Sequence, residues 1–167
     1  MATTHTEEVP VAATRHLIDW SAAIWASVIA GLVFAALEMA LAWAVNGASP
    51  WAPLHLIGAI ALGPQALTPP DTFDVGVISM AVVIHMALAI VYGVILAFIV
   101  ARLEIGMATI IGALYGLLLY VINFYGFTGV FPWFADARGW VSIVTHVVQS
   151  GLMAYLYKAF AARSLMG

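Results

Sequence analysis

Among the few polar side chains in long apolar stretches, five have carboxylate, imidazole or amide groups: Glu38, His85, Asn123, His146 and Gln149. Two imidazoles and a carboxylate are enough to bind a divalent zinc, iron or copper ion, with His85, His146 and Glu38 as the candidate ligands. Alternatively, His85 and His146 on parallel helices offer axial ligands to a haem b. Glu38 exchanging protons with a histidine would instead give a proton or ion path. A fourth use is hydrogen bonding between helices, which contributes about 0.6 kcal/mol per interaction in membrane bundles. No HxxxH or ExxH spacing selects the metal reading, and no cofactor is expected on sequence grounds. The chain has no cysteine, which excludes thiolate metal sites, iron–sulfur clusters, disulfides and cysteine nucleophiles. No nucleophile pairs with a base by spacing, so the chain is expected not to be an enzyme.

The elements that must position these groups follow from composition. Of 167 residues, 65% are hydrophobic and 8% charged, against roughly a quarter charged in soluble domains. Four apolar stretches, 22–45, 75–101, 105–127 and 140–160, are each near or above the roughly 20 residues that a transmembrane helix needs. They are continuous rather than alternating, which implies helices and not barrel strands. The expected fold is therefore an all-α integral membrane four-helix bundle, a single domain over 20–162 preceded by a polar tail over 1–19. That tail carries Glu7, Glu8 and Asp19 and does not suit the basic start of a secretory signal. The net charge of -3 leaves no basic footprint for nucleic acid.

Between the first two spans, residues 46–74 hold Pro50, Pro53, Pro64, Pro69 and Pro70 of the seven prolines. The apolar piece 54–62 is too short to cross and is expected to be an interfacial or re-entrant helix. The connection 128–139 reads as an ordered interfacial cap. Arg15, Arg102, Lys158 and Arg163 fall on one side and Arg138 on the other, which predicts cytoplasmic N- and C-termini. Trp43, Trp51, Trp133 and Trp140 then form an outer aromatic belt, and Trp20 and Trp25 mark the inner boundary. Lys158 is expected to snorkel to the headgroups, and His5, His16 and His55 to be surface groups.

Depth and phase bring the polar groups together. At a rise of 1.5 Å per residue, Glu38 lies about 10 Å, His146 about 9 Å, His85 about 15 Å and Asn123 about 6 Å below the outer boundary, with Gln149 one turn beneath His146. Helical steps of three and four align Ser27, Gly31, Ala35, Glu38 and Ala42 in span one, and His85, Ala89 and Tyr92 in span two. They align Gly112, Gly116, Tyr120 and Asn123 in span three, and Ser142, His146, Gln149, Ser150, Met153 and Tyr157 in span four. Gly31, Gly112 and Gly116 mark faces where another backbone can approach closely. A faint parallel repeat accompanies this: Gly31 and Glu38 share their spacing with Gly116 and Asn123, and each pair precedes a histidine-bearing span.

The tract over 123–146, NFYGFTGVFPWFADARGWVSIVTH, resembles a segment of a family of small uncharacterised bacterial four-helix inner-membrane proteins, some of which carry a sodium/proline symporter label. The resemblance implies a multi-pass protein of the bacterial inner (cytoplasmic) membrane and assigns no catalytic residue. Sodium-coupled symporters are built on larger inverted-repeat cores with broken helices, which four spans do not supply. The expected role is a non-catalytic accessory subunit of a larger membrane complex, of the respiratory or electron-transfer kind, with the lipid bilayer and other membrane subunits as partners. The alternatives are a small homo-oligomeric transporter or channel, assembled through the glycine faces, and haem b or metal binding through His85 and His146.

Overall fold

The computed structural model describes residues 18–164, and among these residues there is no strand. The N-terminal tail with His5, Arg15 and His16 lies outside the described residues, apart from Ile18 and Asp19. Helix α1 is Trp20–Asn46, started by the Asp19 carboxylate accepting from the Ala22 N–H at 2.9 Å. It ends on Gly47 in the left-handed region at φ 64°, where the Ala48 N–H returns to Ala42 O at 3.1 Å. Helix α2 is Ala52–Leu62, with proline in its first turn. Helix α3, Val75–Val100, starts on Asp74, whose side chain accepts from Gly76 and Val77. Helix α4 is Ile105–Val121. It widens into a π turn over Ile122–Gly126 and tightens into a 3-10 turn over Phe127–Gly129. Helix α5 is Trp140–Ser164. Helices α1, α3 and α4 with its extension are long and apolar enough to cross a membrane, and the short piece read as interfacial or re-entrant is helical.

Chain order does not set the packing order. Helix α5 lies between α4 and α1, α1 lies between α5 and α3, and α2 rests on α3, whereas the consecutive helices α3 and α4 barely touch. Side-chain size decides this. A Cβ at Gly112 would sit 2.6 Å from Ser150 O, and one at Gly116 would be closer still to His146 O. At those positions α4 and α5 meet backbone to backbone. A Cβ at Gly31 would lie 3.1 Å from that of Ala89, and Gly93 admits Ser27 of α1 and Met153 of α5, so α1 and α3 are drawn together in the same way. All three glycines expected to mediate helix packing do so within one chain, and the faces proposed for self-association are already occupied. Near the 101–104 turn the core is small and tight, built from Ala22, Ala26, Ala97, Ala108 and Ala154 around Leu96 and Val100.

One expectation needs correction. His55 is not a surface group but is 2% exposed. Its Nδ1 lies 2.6 Å from Ala66 O and its Nε2 3.0 Å from Thr72 O, so it pins the proline-rich segment to α2. Lys158 Nζ donates to Ala101 O at 2.9 Å at the α3 terminus, where backbone carbonyls lack helical partners. Trp133 is half-buried, and its indole donates to Leu56 O at 3.0 Å, stapling the 128–139 connection to α2. Trp43 and Trp140 are exposed.

The glycine contacts predict a contrast. Gly116→Ala should lower the thermal midpoint in mild detergent by the equivalent of about 1–3 kcal/mol, the usual range for overpacking. Gly106→Ala, where nothing lies within 4 Å of the new methyl, should be neutral or slightly stabilising. Equal midpoints for the two variants would contradict the backbone contact between α4 and α5.

Candidate functional site

The gap between α3 and α4 becomes a cavity of about 250 Å3 where the small-residue core gives way to larger side chains. Ile84, Leu88 and Tyr92 of α3 form one wall, and Leu119, Asn123, Phe124 and Phe127 the other. Ile57 and Ile60 of α2 and Phe131 and Phe134 of the 128–139 connection also line it. Phe34, His85, His146 and Gln149 complete the lining. No aspartate, glutamate, lysine or arginine is among these residues.

Hydrogen-bond geometry fixes the ring states of both histidines. His85 Nε2 lies 2.8 Å from Gly31 O; a carbonyl can only accept, so Nε2 carries a proton, and in the neutral ring Nδ1 keeps the lone pair. His146 Nδ1 donates to Ser142 O at 2.7 Å, which leaves Nε2 to accept from the Asn123 amide at 3.3 Å. Asn123 Oδ1 in turn accepts from the Tyr92 hydroxyl at 3.2 Å, and Tyr92 O accepts from the Tyr115 hydroxyl at 3.2 Å. These bonds link α3, α4 and α5 across a gap that apolar contact leaves open. Asn123 lies in the π turn, a helix form common at functional sites.

Gln149 differs from its neighbours. It is 8% exposed and lines the cavity, yet nothing among the described residues hydrogen-bonds its amide. No fully buried side-chain nitrogen or oxygen among the described residues lacks a partner. The free amide atoms must therefore be reached from the cavity. The same reasoning opens His85 Nδ1 to it.

Glu38 stands apart from this group. Its carboxylate accepts from the Ser142 hydroxyl at 3.1 Å and the Thr145 hydroxyl at 2.6 Å, tying α1 to α5. It faces a second cavity of about 480 Å3 with Asn46, Trp133, Asp136, Arg138 and Trp140. Arg138 is engaged elsewhere, donating to Phe124 O at 2.7 Å and to the Thr128 hydroxyl while lying 4.2 Å over the Tyr125 ring. Of the five residues singled out from sequence, the structure brings His85, Asn123, His146 and Gln149 to one cavity and puts Glu38 in the other.

This division bears on metal and haem. Among the described residues no three His, Cys, Asp or Glu side chains converge to hold a metal ion. Both imidazoles rest on Phe34, stacked for His85 with centroids 5.1 Å apart and edge-on for His146 at 4.9 Å. Both Nε2 atoms are engaged, and a haem ligated by the pair would have to break those bonds and displace Phe34. The residues present do not fit a bis-histidine haem. Phe34 and Thr145 were not singled out from sequence, although each had a signal. Phe34 lies three residues after Gly31 and four before Glu38 on the same face, and Thr145 lies three after Ser142. Comparison with family models, curated proteins and solved structures finds no match to this chain.

The Glu38 contacts predict coupling between distant positions. A double-mutant cycle of Glu38→Ala with Thr145→Val, read by thermal unfolding in detergent, should return about 1 kcal/mol. That lies between the roughly 0.6 kcal/mol usual in membrane bundles and the larger values for bonds to ionised groups. Strict additivity would mean that the two side chains do not meet.

Proposed function

We propose that this chain is a non-catalytic four-span membrane protein that holds a small amphiphilic molecule, drawn from the bilayer, in the cavity between α3 and α4. The observation that carries the reading is the combination of apolar walls with a few convergent polar groups, one of them the unpartnered and nearly buried amide of Gln149. Such a pocket is the default place for a ligand. Groups serving only as interhelical glue would be paired with one another, as Asn123 and His146 are. A fourth crossing by α5 is supported by its position between α4 and α1. A helix sandwiched between two spans shares their depth, and its polar residues Ser142, Thr145, His146, Gln149 and Ser150 are buried. Cytoplasmic termini remain the orientation favoured by Arg102, Lys158 and Arg163.

The setting we favour is an accessory subunit of a larger membrane assembly. A homo-oligomeric channel built on Gly31, Gly112 and Gly116 loses support because those glycines pack against α3 and α5 of the same chain. The outward surfaces of α3 and α4 remain apolar, with Val83, Val91, Phe98, Ile110, Leu114 and Leu118 exposed, and can meet lipid or another subunit.

Native mass analysis after gentle detergent extraction addresses both statements. The expected spectrum shows one small amphiphile per chain, absent from Ile84→Trp, together with foreign subunits at fixed stoichiometry. A wild-type chain that carries no adduct would overturn the binding role, and a lone monomer would overturn the accessory role.

A further inference from the structure

The same cavity also restricts what kind of molecule it takes. Because no charged residue lines it, a carboxylate, phosphate or ammonium inside would meet no counter-charge. The depth adds to that cost. His85 and His146 lie about 9–15 Å below the outer boundary, deeper than a phospholipid headgroup can follow, since burying an ion there without a partner is strongly unfavourable. The head must be neutral.

Its hydrogen-bonding pattern is set by the free groups. The Gln149 amide offers both a donor and an acceptor. The tautomer imposed by Gly31 leaves His85 Nδ1 as an acceptor. Asn123 uses one amide hydrogen on His146 and its oxygen on Tyr92, which leaves a second hydrogen. Oxygens that accept, hydroxyls that donate, or both in one molecule would be matched.

Size and wall chemistry narrow the class further. About 250 Å3 is the volume of about eight waters at roughly 30 Å3 each, below the roughly 300–1,000 Å3 of drug-sized sites. One substituted six-membered ring fits within that volume. Phe34, Phe124, Phe131 and Phe134 present aromatic surfaces on which a flat ring packs well. A chain attached to that ring needs an exit. Helices α3 and α4 barely touch, and the rim residues Leu88 and Phe127 are exposed, so the way out runs sideways into the hydrocarbon.

We infer that the cavity between α3 and α4 is a lateral binding site for a lipid-soluble molecule with a neutral, oxygen-bearing single ring, of the benzoquinone or benzoquinol class, its chain leaving between the two helices and its ring oxygens held by Gln149 and His85. This inference rests on the binding role proposed above and adds the identity of the head.

The test is a titration of the purified full chain in mild detergent with three probes: a benzoquinone carrying a decyl chain, decanol and dodecanoate. Thermal midpoint and equilibrium binding are read in wild type and in Gln149→Met. The quinone should raise the wild-type midpoint saturably and bind at least tenfold more tightly than either of the other two. Gln149→Met should weaken quinone binding by about tenfold, the loss expected for one hydrogen bond. The ligand-free midpoint of that variant should not fall, because an unpartnered amide is being replaced by an apolar chain of similar size. A lower ligand-free midpoint would instead make Gln149 structural and overturn its assignment. Equal binding of decanol and the quinone, unaffected by Gln149→Met, would overturn the ring-head inference while leaving a generic amphiphile site. No saturable binding of any probe would overturn the binding role itself.

Discussion

The backbone contact between α4 and α5 is the constraint from which the remaining architecture follows. At Gly112 and Gly116 the missing Cβ lets α4 lie directly on the carbonyls of Ser150 and His146. Hydrocarbon around a membrane bundle gives helices no hydrophobic reason to associate, so close van der Waals packing must do so. Having spent its small face on α5, α4 has mainly Ile, Leu and Met to offer elsewhere, and it does not close against α3. The gap between α3 and α4 is thus a consequence of where the glycines fall. The contact also sets register: Gly116 meets the turn that bears His146, and the π turn about two helical turns later brings Asn123 within 3.3 Å of that imidazole.

The second constraint is satisfaction of polar groups out of reach of water. His85 donates its Nε2 hydrogen to Gly31 O, an acceptor on a closely packed stretch of α1. Glu38, the least comfortable residue for an apolar bundle, finds two hydroxyl donors on α5 and so acts as a tie between helices. The longer connections are held likewise by a few side chains: His55 for the proline-rich segment, Trp133 and Arg138 for the 128–139 connection. Against this background of paired groups, the free amide of Gln149 is the exception that marks a site.

Much of this was legible in the residues. Apolar length gave the long helices to within a few positions, and small-residue phase gave the packing faces of Gly31, Gly112 and Gly116. Depth counting put His85, Asn123, His146 and Gln149 in the same half of the expected spans. What it could not give was azimuth between helices. Glu38 is close to His146 in depth, but α5 presents Ser142 and Thr145 to α1 and turns His146 and Gln149 toward the gap, a division that needs the packing order of the bundle. That order was hidden too, because neighbours in sequence were poor guides: α3 and α4 share a tight turn yet separate above it. His55 was misjudged because its partners, Ala66 O and Thr72 O, are backbone atoms and leave no trace in residue type.

Since the chain has no cysteine, the contact between α4 and α5 can be tested by a single engineered pair. Ala113 Cβ lies 3.7 Å from the position a Cβ would take at Gly151, close to the roughly 3.8 Å mean of disulfides. In intact membranes, Ala113→Cys combined with Gly151→Cys should form an intramolecular disulfide under mild oxidation, identified as a linked peptide pair in the monomer. An absence of that link, or its appearance only between two chains, would contradict the packing order on which the cavity depends.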